Sequence, residues 1–592
     1  MLKPDDYISE LPDNPNRNFA QMLEQISRDY AGKDAILYRT GGQKEFLRWT
    51  YAKFGGECRR IARGLLAAGL KKGDRVVLWA ENRPEWMAVW LGSVVAGLSI
   101  VPVDFLISEK ECLNIIKITR ARAFFHSGKK QDFADSLAGE GLDMAATVGI
   151  SANGRGESGF DSFGRADESQ RLPDADSIEP DHPASIVFTS GTTGMAKGVM
   201  LSHKNIIANA SAAVRVLQPG AGDVFIDVLP LHHTYPTTCC FILPLGLGVP
   251  TVIVEKIVGK VVIDDVRDAG VTFLIGVPLL FDKVMAALDD GYNKKIPGIL
   301  KAVLKPARKK ALSEANKGRP EYGRKKFMFF RKKAGLGSVS IMVAGGGPLN
   351  PKTADFFDSL GFNIVHGYGM SENSPLISVN TPRHKRNVSV GLPVSYTDVQ
   401  ILEPNQAGIG EIAATSPSVM LGYFENEEAT NEVIREINGK RWLLTGDLGK
   451  IDEDGFIYIM GRKKNLIVTA AGKNIYPEEV EVHVQGMEGS AKVISELLVV
   501  GRKGEDGGED IFAVVVPNFE ALKADHPGRE NDDAFVRGLV KQLIEEANRS
   551  LPIYKKIGDF TLRKEPFEKN AQQKIKRFLY KEYETDTAGF LG

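Results

Sequence analysis

Short runs of apolar residues alternate with longer amphipathic segments along most of this chain. DAILYR (34–39) and DRVVLWA (74–80) are typical of buried strands, whereas YAKFGGECRRIARGLLAAG (51–69) has apolar residues at helical spacing. The strand pattern returns in TVIVEK (251–256), VTFLIGVP (271–278) and SVSIMVAGGGP (338–348). Because such strands and helices bury their apolar faces against each other, the alternation predicts an α/β fold with layers around a largely buried sheet.

The character of the sequence changes near residue 460. There EDGFIYIMGRKKNLIV leads from a strand hairpin into a lysine-rich junction, followed by a compact stretch with two more strands and a helix over 533–549. We therefore predict a domain boundary at Gly461–Asn465. A large multi-layered N-terminal domain with β-sheets flanked by helices (1–463) precedes a small, mobile α+β C-terminal domain (464–592).

Composition argues against several classes of protein. The 592 residues include 75 lysines and arginines and 75 aspartates and glutamates, so no net charge attracts nucleic acid. The four cysteines lack C-x-x-C spacing, which disfavours a disulfide scaffold or thiolate zinc site and fits a reducing compartment. The longest uncharged run, 86–103, is short and ends in Pro102 and β-branched residues, so we interpret it as a buried helix running into a strand. With no secretory signal, we expect a cytoplasmic protein.

The segment TSGTTGMAKG (189–198) is suited to bind phosphate. Its glycines let backbone amides approach an anion, its hydroxyl side chains add donors, and Lys197 adds a positive charge. A Walker loop would need Ser or Thr after the lysine and a helix directly after the loop. Here a glycine follows the lysine, GVML predicts a strand, and only then does Ser202 cap a helix. A different phosphate-binding device is therefore predicted.

Extended to TSGTTGMAKGVMLSH, this segment resembles the signature of the adenylate-forming superfamily. These AMP-binding enzymes include acyl-CoA synthetases, luciferases and the adenylation domains of peptide synthetases. Further segments similar to the family's motifs follow in order, namely AGGGP, GYGMSE, TGD, GR and EKNAQQKIKRF. The ordered set, spread over 189–577, is far more specific than one glycine loop. It implies that the chain uses ATP, Mg²⁺, CoA and a carboxylic acid.

By this resemblance, several segments contact the nucleotide, with the glycine loop over the β- and γ-phosphates of ATP. They contribute Thr189, Ser190, Gly191, Thr192, Thr193, Gly194 and Lys197 from the loop, Gly346 and Gly347 from AGGGP, and Gly367, Tyr368, Gly369, Ser371 and Glu372 from GYGMSE. Tyr368 is expected to stack on adenine, Ser371 to donate to the α-phosphate, and Glu372 to hold Mg²⁺. The family more often has alanine at Gly347 and threonine at Ser371, and serine keeps the hydroxyl.

The next two motifs resemble the family's ribose-binding pair. Asp447 of TGD can accept hydrogen bonds from both ribose hydroxyls, and Arg462 of GR is its partner. Lys464 takes the hinge position, about which the small domain is expected to rotate. After rotation, Gly472 and Lys473 of TAAGKNIYP are expected to line the path of the CoA thiol.

The last motif, EKNAQQKIKRF, is similar to the family's Pro-x-Thr-x-x-Gly-Lys-Ile-x-Arg. By that likeness Lys574 bridges the substrate carboxylate and the α-phosphate. Gln573 and Asn570 replace the usual glycine and threonine, which affects the expected loop geometry rather than the lysine.

The segment LPLHHTYP (229–236) resembles the one that lines the family's carboxylate pocket. His233 and Tyr235 take the positions beside the acyl group and the phosphate. Two histidines also suggest a metal site, but we expect adjacent side chains to point in different directions, and no third ligand is near in sequence. Pocket lining is therefore preferred. The catalytic residues implied are Lys574, Glu372, His233 and Lys197.

The resemblance implies two reaction steps. A carboxylate attacks the α-phosphorus of ATP, pyrophosphate leaves, and the CoA thiol then takes the acyl group from the acyl-adenylate. Negative groups converge in the first step, which explains the need for cationic side chains. The sequences around Lys464 and Lys574 look most like those of long-chain fatty acyl-CoA synthetases. Alternatives that stay open are an acyl-carrier protein as acceptor, a shorter, cyclic or aromatic acid, a peptide-synthetase module, and a nucleotide-binding protein without catalysis.

One segment, 294–333, is strongly basic. It holds fifteen lysines and arginines against two glutamates, with apolar residues interleaved, as in KKFMFFRKK. A solvated helical excursion explains such a charge run. The alternative is peripheral contact with an anionic membrane, which would suit a lipid substrate. Both interpretations stay open here, as does a homodimer.

Overall fold

The computed structural model describes residues 17–40, 43–151, 159–165, 169–189, 196–295, 298–470, 472–503, 508–569, 575–580 and 583. Contacts divide the chain into two compact units. The first unit comprises 1–399, 414–443 and 453–456, and the second comprises 400–413, 444–452 and 457–592. The boundary predicted at Gly461–Asn465 stays a prediction, because the second unit also includes 400–413 and 444–452, which lie before that boundary in the sequence.

Strands and helices are numbered in chain order. The strands are β1 Asp34–Tyr38, β2 Leu47–Thr50, β3 Arg75–Trp79, β4 Ser99–Pro102, β5 Ala123–His126, β6 Ala146–Gly149, β7 Pro183–Thr189, β8 Lys197–Ser202, β9 Phe225–Asp227, β10 Thr251–Ile253, β11 Phe273–Gly276, β12 Ile341–Ala344, β13 Ile364–Gly369, β14 Leu376–Val379, β15 Leu392–Pro393, β16 Asp398–Leu402, β17 Gly410–Thr415, β18 Gly422–Tyr423, β19 Ile434–Ile437, β20 Lys440–Ile451, β21 Ile457–Arg462, β22 Ile467–Val468, β23 Asn474–Ile475, β24 Ile494–Lys503, β25 Glu509–Pro517 and β26 Asp559–Leu562. The helices are α1 Phe19–Asp29, α2 Tyr51–Ala67, α3 Pro84–Val95, α4 Glu109–Thr119, α5 Gln131–Ser136, α6 His203–Leu217, α7 Thr234–Pro236, α8 Leu243–Leu247, α9 Gly259–Ala269, α10 Pro278–Lys295, α11 Gly298–Ala315, α12 Glu321–Lys326, α13 Met328–Lys333, α14 Pro351–Ser359, α15 Glu427–Val433, α16 Pro477–Gln485, α17 Ser490–Val493, α18 Phe519–Asp525 and α19 Asp533–Ser550.

The first unit is built on two large sheets. Among the described residues, one has nine strands in the order β15-β14-β13-β12-β11-β9-β10-β1-β2, and the other has seven in the order β18-β8-β7-β4-β3-β5-β6. Neighbouring strands run parallel from β13 to β1 in the first sheet and from β7 to β6 in the second. Parallel neighbours need crossover connections, and helices such as α3 and α14 supply them. The predicted α/β fold is confirmed.

The long uncharged run 86–103 forms the buried helix and strand predicted for it. Helix α3 is buried around its whole circumference, which explains its apolar residues on every face. Gly92 allows α2 to pack closely, because a Cβ there would lie 2.7 Å from the carbonyl oxygen of Cys58. Within the described ranges, no helix is both long and apolar enough to cross a membrane.

The glycine loop lies between paired strands. Strand β7 pairs antiparallel with β8, and the register places Thr189 opposite Lys197 at the base of the loop. Ser202 caps α6 as predicted, because its hydroxyl accepts from the Asn205 amide while the Asn205 side chain accepts from the Ser202 amide. The strand between loop and helix is therefore confirmed, and a Walker geometry is excluded.

The second unit has its own sheet and core. Strands β24, β25 and β26 form a three-stranded sheet, with β24 antiparallel and β26 parallel to β25. Helices α16 and α19 pack their apolar residues on this sheet, around Val480, Val540 and Val515. These elements confirm the two strands and the helix predicted after the junction.

The basic segment is helical. Helices α10 to α13 follow one another between β11 and β12, as the helical interpretation of the charge run predicts. Among the cations of this segment whose side chains the structure describes, Arg331 alone is fully buried, and its guanidinium donates to the carbonyls of Val339 and Gly361. This buried arginine connects the basic helices to the chain at Val339 and Gly361, within the first unit.

Candidate active site

The motif GYGMSE lies at the end of β13. Gly369 has no room for a side chain, since a Cβ there would lie 2.1 Å from the Pro375 carbonyl oxygen. This close approach folds the chain back into a short 3-10 turn, Ser371–Asn373, which carries Ser371 and Glu372. Tyr368 and Gly369 precede the turn, and the side chains of Tyr368, Ser371 and Glu372 are partly exposed, as groups that bind a ligand must be.

Buried polar residues hold this turn in place. Asn209 of α6 donates its side-chain amide to the carbonyls of Asn373 and Leu376, and it accepts from the Leu376 amide. Thr238 donates to the Ser374 carbonyl from the other side. Because these donors and acceptors are buried and satisfied, the position of Glu372 is set by the interior of the unit rather than by solvent.

Glu372, Tyr423 and Lys197 form one network. The Tyr423 hydroxyl donates to Glu372 Oε1 at 2.8 Å, and Lys197 Nζ lies 5.0 Å from the centroid of the Tyr423 ring. Strand β18 makes this possible, because it pairs Tyr423 with Val199 of β8. Three segments far apart in sequence thus bring a carboxylate to the hydroxyl of one tyrosine and a cation over its ring.

The pocket-lining segment 229–236 also reaches this turn. Thr234 Oγ1 lies 3.4 Å from Ser371 Oγ. Tyr235 packs its ring against the AGGGP loop, where a Cβ on Gly345 would lie 2.8 Å from Tyr235 Cζ, and its hydroxyl donates to the Val343 carbonyl at 3.2 Å. Burial raises the pKa of the Tyr235 phenol well above its usual value, so this side chain stays a neutral donor.

The AGGGP loop has the backbone that its sequence suggests. Gly346 is exposed and has φ of +81°, in the region that favours glycine. Gly347 has an ordinary φ, and a Cβ there would be 3.8 Å from its nearest neighbours in Pro278. The alanine more usual in the family would therefore fit. The carbonyl of Gly347 accepts a hydrogen bond from His366 Nε2 at 2.9 Å.

The orientation expected for the adjacent histidines is wrong. The ring centroids of His232 and His233 are only 4.0 Å apart, with planes tilted by 49°. Adjacent side chains diverge in an extended strand, but these residues lie in a turn before α7, which brings both rings to one side. His232 is buried, its pKa is lowered to about 3 by loss of water, and Asp104 Oδ2 is 3.8 Å from its Nε2. Across the described residues, no cluster of three or more histidine, cysteine or acidic side chains could hold a metal ion.

Asp447 and Arg462 are brought together in the second unit. Their strands β20 and β21 pair directly at these two positions, and Arg462 Nε lies 2.7 Å from Asp447 Oδ1. Arg462 also donates to the Thr445 carbonyl, while the Thr445 hydroxyl accepts from the Asp447 amide. Asp447 is almost fully buried, and Gly446 beside it has φ of +68°. The structure therefore forms the predicted pair, with a carboxylate that a guanidinium orients.

The hinge and thiol-path residues also lie in the second unit. Lys464 follows Arg462 in a 3-10 turn, and its pKa is lowered to about 8, chiefly because neighbouring groups displace water and partly because Arg462 repels it. Gly472 and Lys473 are exposed in the turn between β22 and β23, where Gly472 has φ of +69° and Lys473 donates its amide to Thr469. The roles predicted for these residues stay predictions.

Some predicted site residues lie outside the described residues. They are Ser190, Gly191, Thr192, Thr193, Gly194 and Lys574. Thr189 and Lys197 are described on either side of the loop, and Ile575 directly follows Lys574.

The sequence analysis missed two residues of the site. Tyr423 sits in SVMLGYFENEE, where nothing distinguishes it from a core aromatic, and its place beside Glu372 depends on the pairing of β18 with β8. Thr234 could have been noticed, because it lies between His233 and Tyr235, yet its contact with Ser371 is purely tertiary.

Comparison with known proteins agrees with this arrangement. A family model described as AMP-binding enzyme matches residues 23–424, which is more than half of the chain. The chain belongs to the AMP-binding enzyme family. The resemblance drawn from TSGTTGMAKG and the later motifs is thereby confirmed, and nucleotide binding follows from membership of the family.

Curated relatives include long-chain fatty-acid ligases. A long-chain-fatty-acid–CoA ligase of Gallus gallus is 27% identical, and the alignment covers 89% of this chain and 70% of the relative. A long-chain-fatty-acid–CoA ligase of Mycobacterium bovis is also 27% identical, with 82% of this chain and 80% of the relative covered. Among solved structures, ATP-bound MatB from Rhodopseudomonas palustris superposes with a TM-score of 0.75 over 96% of this chain and 98% of that chain, at 23% identity. That likeness shows the fold.

Proposed function

We propose that this protein activates a long-chain fatty acid with ATP and transfers the acyl group to CoA. The observation that carries the proposal is the network of Lys197, Tyr423 and Glu372, a cation and a carboxylate beside the loop that the resemblance assigns to phosphate binding. The fatty acid and CoA as substrates rest on the names of the curated relatives, which are long-chain ligases that use CoA.

The chain's own residues suit the first step. The reacting carboxylate and the α-phosphate are both anionic, so their approach needs positive charge and hydrogen-bond donors. Lys197 supplies charge beside the loop, and the hydroxyls of Ser371 and Thr234 lie together at the turn. By resemblance, Lys574 would bridge the two reacting groups, and the ion pair of Asp447 with Arg462 would bind the ribose hydroxyls.

Glu372 is suited to hold Mg²⁺. Hard oxygen donors are what this ion prefers, and it is usually bound by one or two carboxylates together with substrate phosphates. Tyr423 orients one oxygen of Glu372, and the side chain is partly exposed. Bound there with ATP, Mg²⁺ would neutralise phosphate charge as pyrophosphate leaves.

The second step would use the hinge. A rotation about Lys464 would withdraw Lys574 and bring Gly472 and Lys473 to the acyl-adenylate, and the thiol would then attack the acyl carbon and release AMP. The relatives favour CoA over an acyl-carrier protein as acceptor. They likewise favour a long-chain acid over a short or aromatic one.

Pyrophosphate exchange tests the proposal. Purified protein is incubated with ATP, labelled pyrophosphate and each of a series of acids from acetate to palmitate, followed by assays of AMP release with CoA or an acyl-carrier protein. We expect exchange that is strongest with long chains and AMP release that depends on CoA. Exchange with no acid would refute the proposed function, and exchange only with short or aromatic acids would refute the long-chain assignment.

We also propose that the basic segment 294–333 contacts an anionic membrane. Phe329 is 81% exposed, and Lys325, Lys326, Lys332 and Lys333 around it are exposed and make no ion pair with any described residue. An exposed aromatic ring flanked by lysines is the pattern of an interfacial anchor.

Vesicle binding tests this contact. Vesicles with and without anionic lipid are sedimented with the wild type and with a variant carrying Lys325→Gln, Lys326→Gln and Phe329→Ser. Binding should require anionic lipid, weaken with salt, and fall in the variant. Lys541→Gln with Lys564→Gln, at two exposed lysines of the second unit, is the control. Equal binding by wild type and variant would reject the membrane contact.

A further inference from the structure

One asparagine outside the segment 229–236 holds the start of that segment, which the resemblance assigns to the carboxylate pocket. We call residues 229–236 the pocket segment. Asn82 donates its side-chain amide to the Leu229 carbonyl at 2.5 Å, and its side-chain oxygen accepts from the Leu231 amide at 2.9 Å. The same nitrogen donates to Asp227 Oδ2 at 2.6 Å. A single side chain therefore binds the backbone at both ends of the tripeptide with which the pocket segment begins.

Asp227 completes this arrangement. It is the last residue of β9, and its Oδ1 accepts from the Leu229 amide at 3.3 Å. Asn82 lies between β3 and α3, so its hydrogen bond to Asp227 joins the carboxyl end of a strand in the seven-stranded sheet to that of a strand in the nine-stranded sheet. Open parallel sheets bind their ligands at the carboxyl ends of the strands. Both large sheets of the first unit thus contribute to the start of the pocket segment.

These hydrogen bonds are made away from water. Leu229, Leu231 and Asp227 are buried, the last two completely. A buried amide or carbonyl that loses its partner costs more free energy than the hydrogen bond itself contributed, because water does not replace the partner. Without Asn82, the start of the pocket segment would have to move to find other partners.

The rest of the pocket segment is held without Asn82. The Thr237 hydroxyl lies within hydrogen-bonding distance of the carbonyls of Leu231 and His233, and the Tyr235 hydroxyl donates to a carbonyl of β12. Loss of Asn82 would therefore loosen the first residues of the pocket segment, which lead directly to the two histidines, while the end of the segment stays in place.

We propose that Asn82 is a positioning residue for the acid substrate, which holds the start of the pocket segment and thereby places His233 beside the acyl group. The inference rests on the proposed function. Asparagine suits this role, because one side-chain amide offers two N–H donors and an acceptor at once, the set that Asp227, Leu229 and Leu231 require. Aspartate has the same shape but no N–H donor, and it would turn a second carboxyl toward Asp227.

Separate KM values distinguish this role from general stabilisation. Asn82→Ala and Asn82→Asp are compared with wild type in pyrophosphate exchange with palmitate, and the KM is measured for palmitate and for ATP. We expect the KM for palmitate to rise by about tenfold in both variants, as the net contribution of about one hydrogen bond implies, and the KM for ATP to change by less than about twofold. Asn548→Ala removes two hydrogen bonds to the backbone of Ile557 in the second unit, and this control should change neither KM.

A double variant tests whether Asn82 acts through His233. If it does, adding Asn82→Ala to His233→Ala should cause no further rise in the KM for palmitate, whereas independent effects would multiply. An unchanged KM for palmitate, equal rises in both KM values, a multiplied effect, or unfolding of both Asn82 variants would overturn the proposal. Absence of exchange in the wild type with every acid would instead refute the proposed function, so the two failures are distinguishable.

Discussion

Tyr423 donates its hydroxyl to Glu372, and the ammonium of Lys197 lies over its ring. Because a carboxylate oxygen that accepts a hydrogen bond is held in one orientation, the hydroxyl orients Glu372 for a cation. The aromatic ring makes a separate contribution, since its face attracts the lysine. One side chain therefore serves two charged neighbours through two different interactions.

Tyr423→Phe separates these contributions. The ring and its contact with Lys197 are retained, while Glu372 loses its donor, so we expect kcat/KM for adenylation to fall by about tenfold and the Mg²⁺ concentration required to rise. Tyr458→Phe, which removes a comparable hydrogen bond to Asp452 in the second unit, is the control. An unchanged Mg²⁺ dependence in Tyr423→Phe would contradict this role.

Asp227 is a fully buried carboxyl at the end of β9. It accepts from the Asn82 side-chain amide at 2.6 Å, yet burial dominates and raises its pKa to about 7. In the pH range between its unfolded pKa, about 4, and 7, the folded state therefore binds a proton that the unfolded state does not. The contribution of this proton to the free energy of unfolding is fully present below a pH of about 4, and it is lost as the pH rises through 7.

Asp227→Asn should remove this pH dependence. We expect the melting temperature of the wild type to fall relative to that of the variant as pH is raised from 5 to 8, corresponding to a few kcal/mol. Thermal unfolding of both proteins across this pH range measures the difference in melting temperature. Asp398→Asn, at a side chain that is 66% exposed, should track the wild type. Parallel curves for wild type and Asp227→Asn would show that the carboxyl is charged throughout.

At the scale of elements, loops and turns carry the site, and regular strands and helices hold them. The AGGGP loop follows β12, the GYGMSE turn follows β13, and Asn209 of α6 fixes that turn. Backbone conformation decides which glycines of the AGGGP loop can be replaced by alanine. Gly346 and Gly347 are neighbours, but only Gly346 has a positive φ.

Alanine at these two glycines should have opposite effects. Gly347→Ala has space and an ordinary backbone, so we expect unchanged or slightly raised stability, by about 0.4–1 kcal/mol, because the unfolded chain loses freedom. Gly346→Ala should destabilise by about 1 kcal/mol, because a Cβ is strained at φ of +81°. Thermal unfolding of both variants checks the order, and a reversed order would contradict the loop conformation.

At the scale of the whole molecule, the two compact units have separate hydrophobic cores. Leu78 belongs to the core of the first unit, and Leu497 belongs to that of the second. Each is almost fully buried. Units with separate cores are expected to unfold as separate cooperative transitions.

Leucine truncations should therefore affect one transition each. Leu497→Ala is expected to cost the second unit about 2–5 kcal/mol and lower its transition alone, while Leu78→Ala lowers that of the first unit by a similar energy. Differential scanning calorimetry resolves the two unfolding transitions. A single transition that shifts equally in both variants would show that the units unfold together.

The sequence by itself determined the family and the local elements. Neighbouring residues are enough to predict the ordered motifs, the strand between the glycine loop and α6, and the helix at 533–549. This is because hydrophobic periodicity and helix capping are local properties of the sequence. Ser202 at the start of α6 is such a case, since its partner Asn205 is only three residues away.

Only the tertiary structure decided which side chains meet. Tyr423 reaches Glu372, Arg577 reaches Glu481, and the rings of His232 and His233 come together because strands pair and turns fold. These contacts join residues that are distant in sequence or depend on turn geometry, so no local pattern encodes them. Strand register and burial set them, and both are properties of the folded chain as a whole.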